Sequence, residues 1–215
     1  RSKVHFIVQN DRDYEFVNKF IKNRSLLCKI KGSGVDTQLF KPNKKIINKK
    51  IKILMASRLI KEKGIFEYFE AANIINNKHP EVEFFLCGNP DMVNPSGINI
   101  NQIIRLSKKY NVTYLGQVNN LNKFLNDISI CVLPTYYGEG IPKFLIESLS
   151  AGKPIITTNI PGCNEIIHEE LNGFLIKPKD FVSLSHFLSK IINDRELRDS
   201  MGKESRKIAL KYFSI

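Results

Sequence analysis

Glu139 and Glu147 stand eight positions apart in the stretch Tyr136-Tyr137-Gly138-Glu139-Gly140-Ile141-Pro142-Lys143-Phe144-Leu145-Ile146-Glu147. The apolar run Ile128 to Leu133 just before it reads as a buried parallel strand. Pro142 suits the first position of a helix, where its missing N–H costs nothing. Glu139 then falls in the loop at the carboxyl end of the strand. Glu147 falls about one turn into the helix, roughly 7 Å further along its axis. Open α/β sheets bind ligands in that crevice. There one carboxylate can accept hydrogen bonds from a sugar and the other from a ribose. Two surface glutamates at a solvated helix start would fit the same spacing, and the spacing alone leaves both readings open.

A second loop with chemical potential is Ser57-Arg58-Leu59-Ile60-Lys61-Glu62-Lys63-Gly64, between a strand-like and a helix-like segment. A helix N-terminus is electropositive, and Arg58 and Lys63 add two cations to it. Arginine grips a phosphate bidentately, while lysine acts as a point charge. A pyrophosphate is the natural guest. Lys61 is read as a plain surface charge. The loop is neither a P-loop nor a dinucleotide fingerprint, because both glycine patterns are absent. Cys87-Gly88-Asn89-Pro90 and Leu115-Gly116-Gln117-Val118 end two further strands and can wall a nucleotide base through backbone groups, or serve as plain turns. His5, His79, His168 and His186 do not cluster, and His186 is expected on the exposed side of its helix. No metal spacing and no nucleophile elbow occur. Glu165 is expected to cap a short helix.

Elements that would position these residues alternate along the chain. Strands are expected at Ile51 to Ser57, Val82 to Gly88, Val112 to Gly116, Ile128 to Leu133, Pro154 to Thr158 and Gly173 to Ile176. Helices are expected at Ile65 to Asn76, Ile100 to Lys109, Leu121 to Asn126, Pro142 to Ser150, after Asp180, and from about Glu196 to Lys211. Six strands alternating with helices predict an α/β fold, a doubly wound parallel six-stranded sheet. Upstream, Val4 to Val8, Asp11 to Ile21 and Leu26 to Ile30 make one strand–helix–strand unit, too little to bury a core alone. Phe16 with Phe20, and Val17 with Ile21, share a helical face. The basic stretch Lys41 to Lys50 reads as a linker. The expected division is residues 1–45, the end of an N-terminal domain with its linker, and residues 46–215, a ligand-binding domain. The chain begins at Arg1 without Met, inside a folded pattern, so it is expected to be part of something longer.

With 215 residues, 42% hydrophobic and 25% charged, the composition is that of a globular protein. No apolar run reaches the ~18 residues of a membrane span. The net charge of +12 suits nucleic acid, an acidic bilayer surface or phosphate-bearing substrates. Of the four cysteines none is near another, and Cys87 and Cys131 read as small buried hydrophobes, which fits a reducing, cytosolic setting.

The string EGIPKFLIESLSAGKPIITTNIPGCNEIIHEELNGFLIKPKD resembles the signature region of family 4 retaining glycosyltransferases with the GT-B fold, and SRLIKEKG resembles that family's donor-phosphate loop. The resemblance runs from 51 to 213 almost continuously. Residues 4–40, with their QN and GSGVD strings, resemble the end of the N-terminal Rossmann-like domain. Pro-Lys-Phe-Leu-Ile-Glu, Pro-Gly-Cys-Asn-Glu-Ile and Asn-Gly-Phe-Leu-Ile resemble the subgroup that builds surface polysaccharides and lipid-linked glycans. The resemblance implies that Glu139 contacts hydroxyls of the donor hexose and that Glu147 binds the ribose. Arg58 and Lys63 would hold the diphosphate and stabilise it as it leaves. The backbone of Gly140, Ile141, Pro142, Lys143 and Phe144 would help at the same phosphates, and the strand-end residues Gly88, Gly116, Gln117 and Val118, by their position, are the candidates to wall the base or to serve as plain turns. It further implies a UDP-hexose or UDP-HexNAc donor, retention without a metal or other cofactor, and front-face attack in which the leaving diphosphate carries the catalytic load. The implied acceptor is a glycan or a sugar on undecaprenyl diphosphate. The implied location is cytoplasmic, with peripheral association at an anionic membrane, and nucleic acid is not an expected partner. Because most of the acceptor domain is missing from the 215 residues, the chain is expected to be the donor half, binding donor without efficient transfer. Two other readings stand beside this one: a non-catalytic nucleotide or carbohydrate-binding module, and a sugar-nucleotide epimerase of similar fold.

Overall fold

The computed structural model describes residues 4–43 and 50–215. Six strands form one parallel sheet: β3 (Lys52–Ala56), β4 (Glu83–Cys87), β5 (Val112–Tyr114), β6 (Ile130–Leu133), β7 (Ile155–Thr158) and β8 (Gly173–Ile176). Their spatial order is β5-β4-β3-β6-β7-β8. The order runs outward one way from β3 and the other way from β6. Their carboxyl ends therefore flank the topological switch point, where an open α/β sheet leaves its crevice. All four residues of β6 and of β7 are buried. Successive strand residues face opposite sides, so both faces of the sheet are covered, which is why β6 reads as an unbroken apolar run and β7 as two isoleucines and two buried threonines.

The covering helices are α2 (Ile65–Lys78), α3 (Ile100–Tyr110), α4 (Leu121–Asp127), α5 (Lys143–Ser150), α6 (Phe181–Asn193) and α7 (Arg195–Tyr212). Three start on side-chain caps: Asn99, Asp180 and Asp194 accept from the amides of Gln102, Ser183 and Leu197. Helix α2 instead starts from Gly64 at φ 80°, where an added Cβ would lie 2.2 Å from the Pro134 carbonyl oxygen. That close approach brings the loop before α2 against the loop after β6.

Upstream, β1 (Phe6–Val8), α1 (Asp11–Asn18) and β2 (Leu27–Lys29) form a β-α-β unit whose two strands pair in parallel. Helix α7 and the residue after it tie down the segment that follows this unit. The Phe213 carbonyl accepts from the Val35 amide at 2.8 Å, and the Arg206 guanidinium donates to the carbonyls of Thr37 and Phe40.

Several expectations shift. Helix α1 stops at Asn18 rather than Ile21, and Phe16 and Phe20 face solvent with their rings 5.1 Å apart. Pro142 is not the first helical residue. Its ψ of 128° is extended, so it is the residue before α5, and its carbonyl accepts from Leu145 and Ile146. Glu165 does not cap. It sits inside a 3₁₀ turn, Asn164–Ile166, that has no side-chain cap. The 45/46 division falls at 44–49, outside the described residues. Cys87, Cys131 and Cys163 are buried, and burial pushes each thiol up to about 12. No helix among the described residues is long and apolar enough to cross a membrane.

Candidate functional site

Two loops at the switch point carry the candidate side chains, and backbone hydrogen bonds stitch them together. The Glu62 carbonyl accepts from the Tyr136 amide at 2.7 Å and from the Thr135 hydroxyl at 3.1 Å, and that hydroxyl also accepts from the Tyr137 amide. Leu59 and Ile60 are fully buried, anchoring the first loop between its two cations. A third loop braces it from outside: Leu59 donates to the Asn89 carbonyl, Lys61 to the Ser96 carbonyl, and the Ser96 hydroxyl to the Glu62 carboxylate.

Lys63 lies in the 3₁₀ turn before α2 and is buried, with its ammonium bonded to the carboxylate of Glu139. This ion pair joins the cation of the first loop to the carboxylate of the second. Arg58 is half-exposed and bonds Asp91 at 2.8 Å. Between the cations lies Tyr137, its ring centroid 5.2 Å from the Lys63 nitrogen and 5.6 Å from the Arg58 guanidinium carbon. Both distances suit a cation–π contact.

Glu139 and Gly140 are wedged between neighbours. On one side an added Cβ at Gly140 would lie 2.2 Å from the Gln9 side-chain oxygen. On the other, a Cβ at Gly162 would lie 2.5 Å from the Gly140 carbonyl oxygen, and Gly162 also has φ 85°. Asn10, 2% exposed, accepts from the Asp13 amide to cap α1 and donates to the Glu139 carbonyl at 3.4 Å. The β-α-β unit thus reaches the candidate sugar carboxylate.

Glu147 is buried in the second turn of α5. Burial raises its carboxyl above the ordinary value, and the Lys143 ammonium at 3.9 Å partly offsets this. At the start of the same helix Ile141 and Phe144 are also buried, and first-turn amides have no intrahelical acceptor, which suits a phosphate. Gly88, Gly116 and Gln117 are brought together at the ends of β4 and β5. Gly88 donates to the Gly116 carbonyl and accepts from the Tyr114 hydroxyl, and Asn89 donates to Gln117 at 2.6 Å. Gly88 has φ 138°, and a Cβ there would overlap the Ser57 carbonyl oxygen. Val118 packs against the core. The backbone of Gly88 is therefore engaged inside the protein, and the base-wall role is less direct than that of the crevice loops. Among the described residues no group of three or more His, Cys, Asp or Glu could hold a metal ion.

Gln9, Asn10, Asp91 and Tyr137 join the site without having been singled out from sequence. Tyr137 stood inside the chemical stretch but carries no charge. The others come from distant segments, and only the fold gives their distances.

A cleft of about 670 Å³ opens beside this site, between α1 and the Tyr136–Glu139 loop, with Arg12, Lys19 and Glu139 among its walls.

A family model for group 1 glycosyl transferases matches residues 36–208. The chain is 30% identical over 219 residues to the N,N'-diacetylbacillosaminyl-diphospho-undecaprenol alpha-1,3-N-acetylgalactosaminyltransferase of Campylobacter jejuni, covering 96% of the chain and 56% of that protein. It is 29% identical over 224 residues to the UDP-Gal:alpha-D-GlcNAc-diphosphoundecaprenol alpha-1,3-galactosyltransferase of Escherichia coli, covering 99% of the chain and 57% of that protein. The chain thus spans little more than half the length of these relatives. Among solved structures it superposes on Anabaena HepE in complex with UDP-glucose with a TM-score of 0.84, at 17% identity, over 98% of the chain and 60% of HepE. It also matches the C-terminal domain of the glycosyl transferase LpcC from Francisella tularensis with a TM-score of 0.72 at 23% identity, over 85% of the chain and all of that domain.

Proposed function

The chain belongs to the group 1 glycosyl transferases, and within that family we propose that it is the donor half of a retaining hexosyltransferase that uses a UDP-sugar. The observation that carries this reading is the Lys63–Glu139 ion pair at the switch point, with Arg58 beside it and Glu147 in the next helix. A bound diphosphate would draw the Lys63 ammonium from Glu139 and free that carboxylate for the hydroxyls of the hexose. Arg58 would take a second edge of the diphosphate, and the opening amides of α5 would face it. Charge that develops on the departing diphosphate then meets two cations and a helix N-terminus already in place, which lowers the barrier without reorganisation. Glu147 would accept from the ribose hydroxyls. Glu139 acts as a positioning group for the sugar rather than a nucleophile.

The relatives' names support a lipid-linked acceptor sugar, and we assign one to the whole protein. Residues 1–45 would be the end of its acceptor domain. The placement is the cytoplasmic face of a membrane, with the +12 charge aiding contact with anionic lipid. The binding-module and epimerase readings gain no support, since the family model and the relatives above are glycosyltransferases.

Calorimetric titration of UDP and UDP-hexoses tests the reading. Wild type should bind UDP, and Glu147→Ala should bind it at least about 10-fold more weakly, the scale of a hydrogen bond to a charged group. Absence of UDP binding by the wild type defeats it.

A further inference from the structure

At the end of the sheet opposite the crevice, a cavity of about 790 Å³ opens below the amino ends of β3, β6 and β7. Its walls include Lys50, Lys153, Arg195, Arg198, Lys203 and Arg206, against a single carboxylate, Asp199. Asp199 lies 3.7 Å from Arg195, and Lys50 bonds Glu83 at 2.8 Å outside the cavity. Lys203 and Arg206 form no salt bridge among the described residues, while Lys153 feels Asp127 and Arg198 feels Asp199 and Asp194.

Three of these four cations are half-buried and are held by neutral groups. Lys153 reaches only the Asn126 carbonyl, at 3.4 Å. Arg198 donates to the Ile191 and Ile192 carbonyls at the end of α6, and Arg206 to those of Thr37, Phe40 and Ser150. Carbonyls satisfy N–H donors and complement a helix C-terminus, but they do not neutralise charge. Burial lowers the basicity of Lys153, Arg198 and Arg206 alike. The acids in reach, Asp127 by Lys153 and Asp199 and Asp194 by Arg198, only partly offset this, and Asp127 is also bonded by Lys52.

A roomy cavity whose charge the chain itself does not balance calls for an anion from outside. We propose that this basic cavity at the amino edge of the sheet binds a phosphate-bearing polyanion, at a site separate from the donor crevice. Phosphate supplies several acceptor oxygens and more than one charge, which arginine forks and lysine ammonium groups both suit. A volume of this size takes a nucleotide or the headgroup of an anionic lipid.

The test uses the 215-residue chain and two probes, with backbone amide shifts as the readout. Inorganic diphosphate should shift the amides of Gly152, Lys153 and Gly202 saturably, apart from any shifts at Gly140 and Ile141 in the crevice. The double variant Lys153→Met with Lys203→Glu should weaken the cavity response at least tenfold and leave the crevice response intact. Lys153→Met alone should fold and raise Tm, because it removes a half-buried, unbalanced ammonium. The second probe is vesicles with or without phosphatidylglycerol. Cavity shifts with free diphosphate support the site and identify a soluble anion. Binding to phosphatidylglycerol vesicles alone, lost in the double variant, supports it with a lipid headgroup as the source. No response at the cavity to either probe, or a response that the double variant leaves unchanged, overturns the proposal. A silent crevice beside a responsive cavity would count against the donor reading and leave this one standing.

Discussion

At the scale of single residues, the account rests on charges that hold each other until a ligand arrives. Glu147 gives a test with a definite sign. Burial raises its carboxyl, so the folded chain binds more protons here than the unfolded chain. Its contribution to stability is therefore fully present below the unfolded value and falls as pH rises through the folded one. Glu147→Gln should lose UDP affinity and yet gain ligand-free Tm relative to wild type as pH rises from 4.5 to 7, which a pH series of thermal melts would show. A variant that gained nothing above pH 4.5 would mean that the carboxylate is not held against its burial. Tyr137 gives a second test. Its ring contacts both Lys63 and Arg58, the cations proposed to hold the diphosphate, each contact worth about 0.5–1 kcal/mol at a partly exposed site. Tyr137→Leu should weaken UDP binding by roughly 3- to 30-fold, and Tyr137→Phe should restore most of it.

Among the elements, the β-α-β unit and the crevice loops meet at Asn10, whose oxygen caps α1 and whose amide donates to the Asp13 carboxylate and the Glu139 carbonyl. Aspartate caps a helix as well as asparagine does but has no N–H to donate. Asn10→Asp should keep the cap on α1 but lower Tm, because it loses the amide's bonds to the Asp13 carboxylate and the Glu139 carbonyl and sets a buried carboxylate against both. The expected readout is a raised KM or Kd for UDP-hexose with less change for UDP, because Glu139 is assigned to the sugar. Equal weakening of both would contradict that assignment. Gly162→Ala should be harsher, since φ 85° and the Gly140 carbonyl both oppose a Cβ; a loss of more than about 1 kcal/mol in chemical denaturation is expected. The elements themselves were legible from sequence where burial is two-sided. The run at β6 is wholly apolar, β3 and β4 are apolar after their first residue, and β7 ends in two buried threonines; the six-stranded parallel sheet followed from these runs. Single-residue boundaries were less so. Pro142 fits either side of a helix start, because its fixed φ near −60° serves an extended residue as well as a helical one, and only ψ separates them. Arg58, Lys63, Glu139 and Glu147 stood out because charges at strand ends are visible in a sequence. Asn10 did not, since its role depends on a contact across 129 positions of chain.

For the whole molecule, the proposal is a donor half attached to the end of an acceptor half. Large apolar side chains of the β-α-β unit stand in solvent, with Ile7 67%, Phe16 62% and Phe20 73% exposed, while the six-stranded sheet is covered on both faces. The 215-residue chain should therefore bind donor with little transfer to a lipid-linked acceptor, and full turnover by this chain alone would sink the division of labour. The most direct measurement is a crystal structure of the chain with a UDP-hexose. The account predicts the diphosphate within hydrogen-bond reach of Arg58 and Lys63, with Lys63 turned from Glu139, the hexose hydroxyls on Glu139 and the ribose on Glu147. A donor bound with its diphosphate away from both cations, or with Lys63 still paired to Glu139, would contradict it.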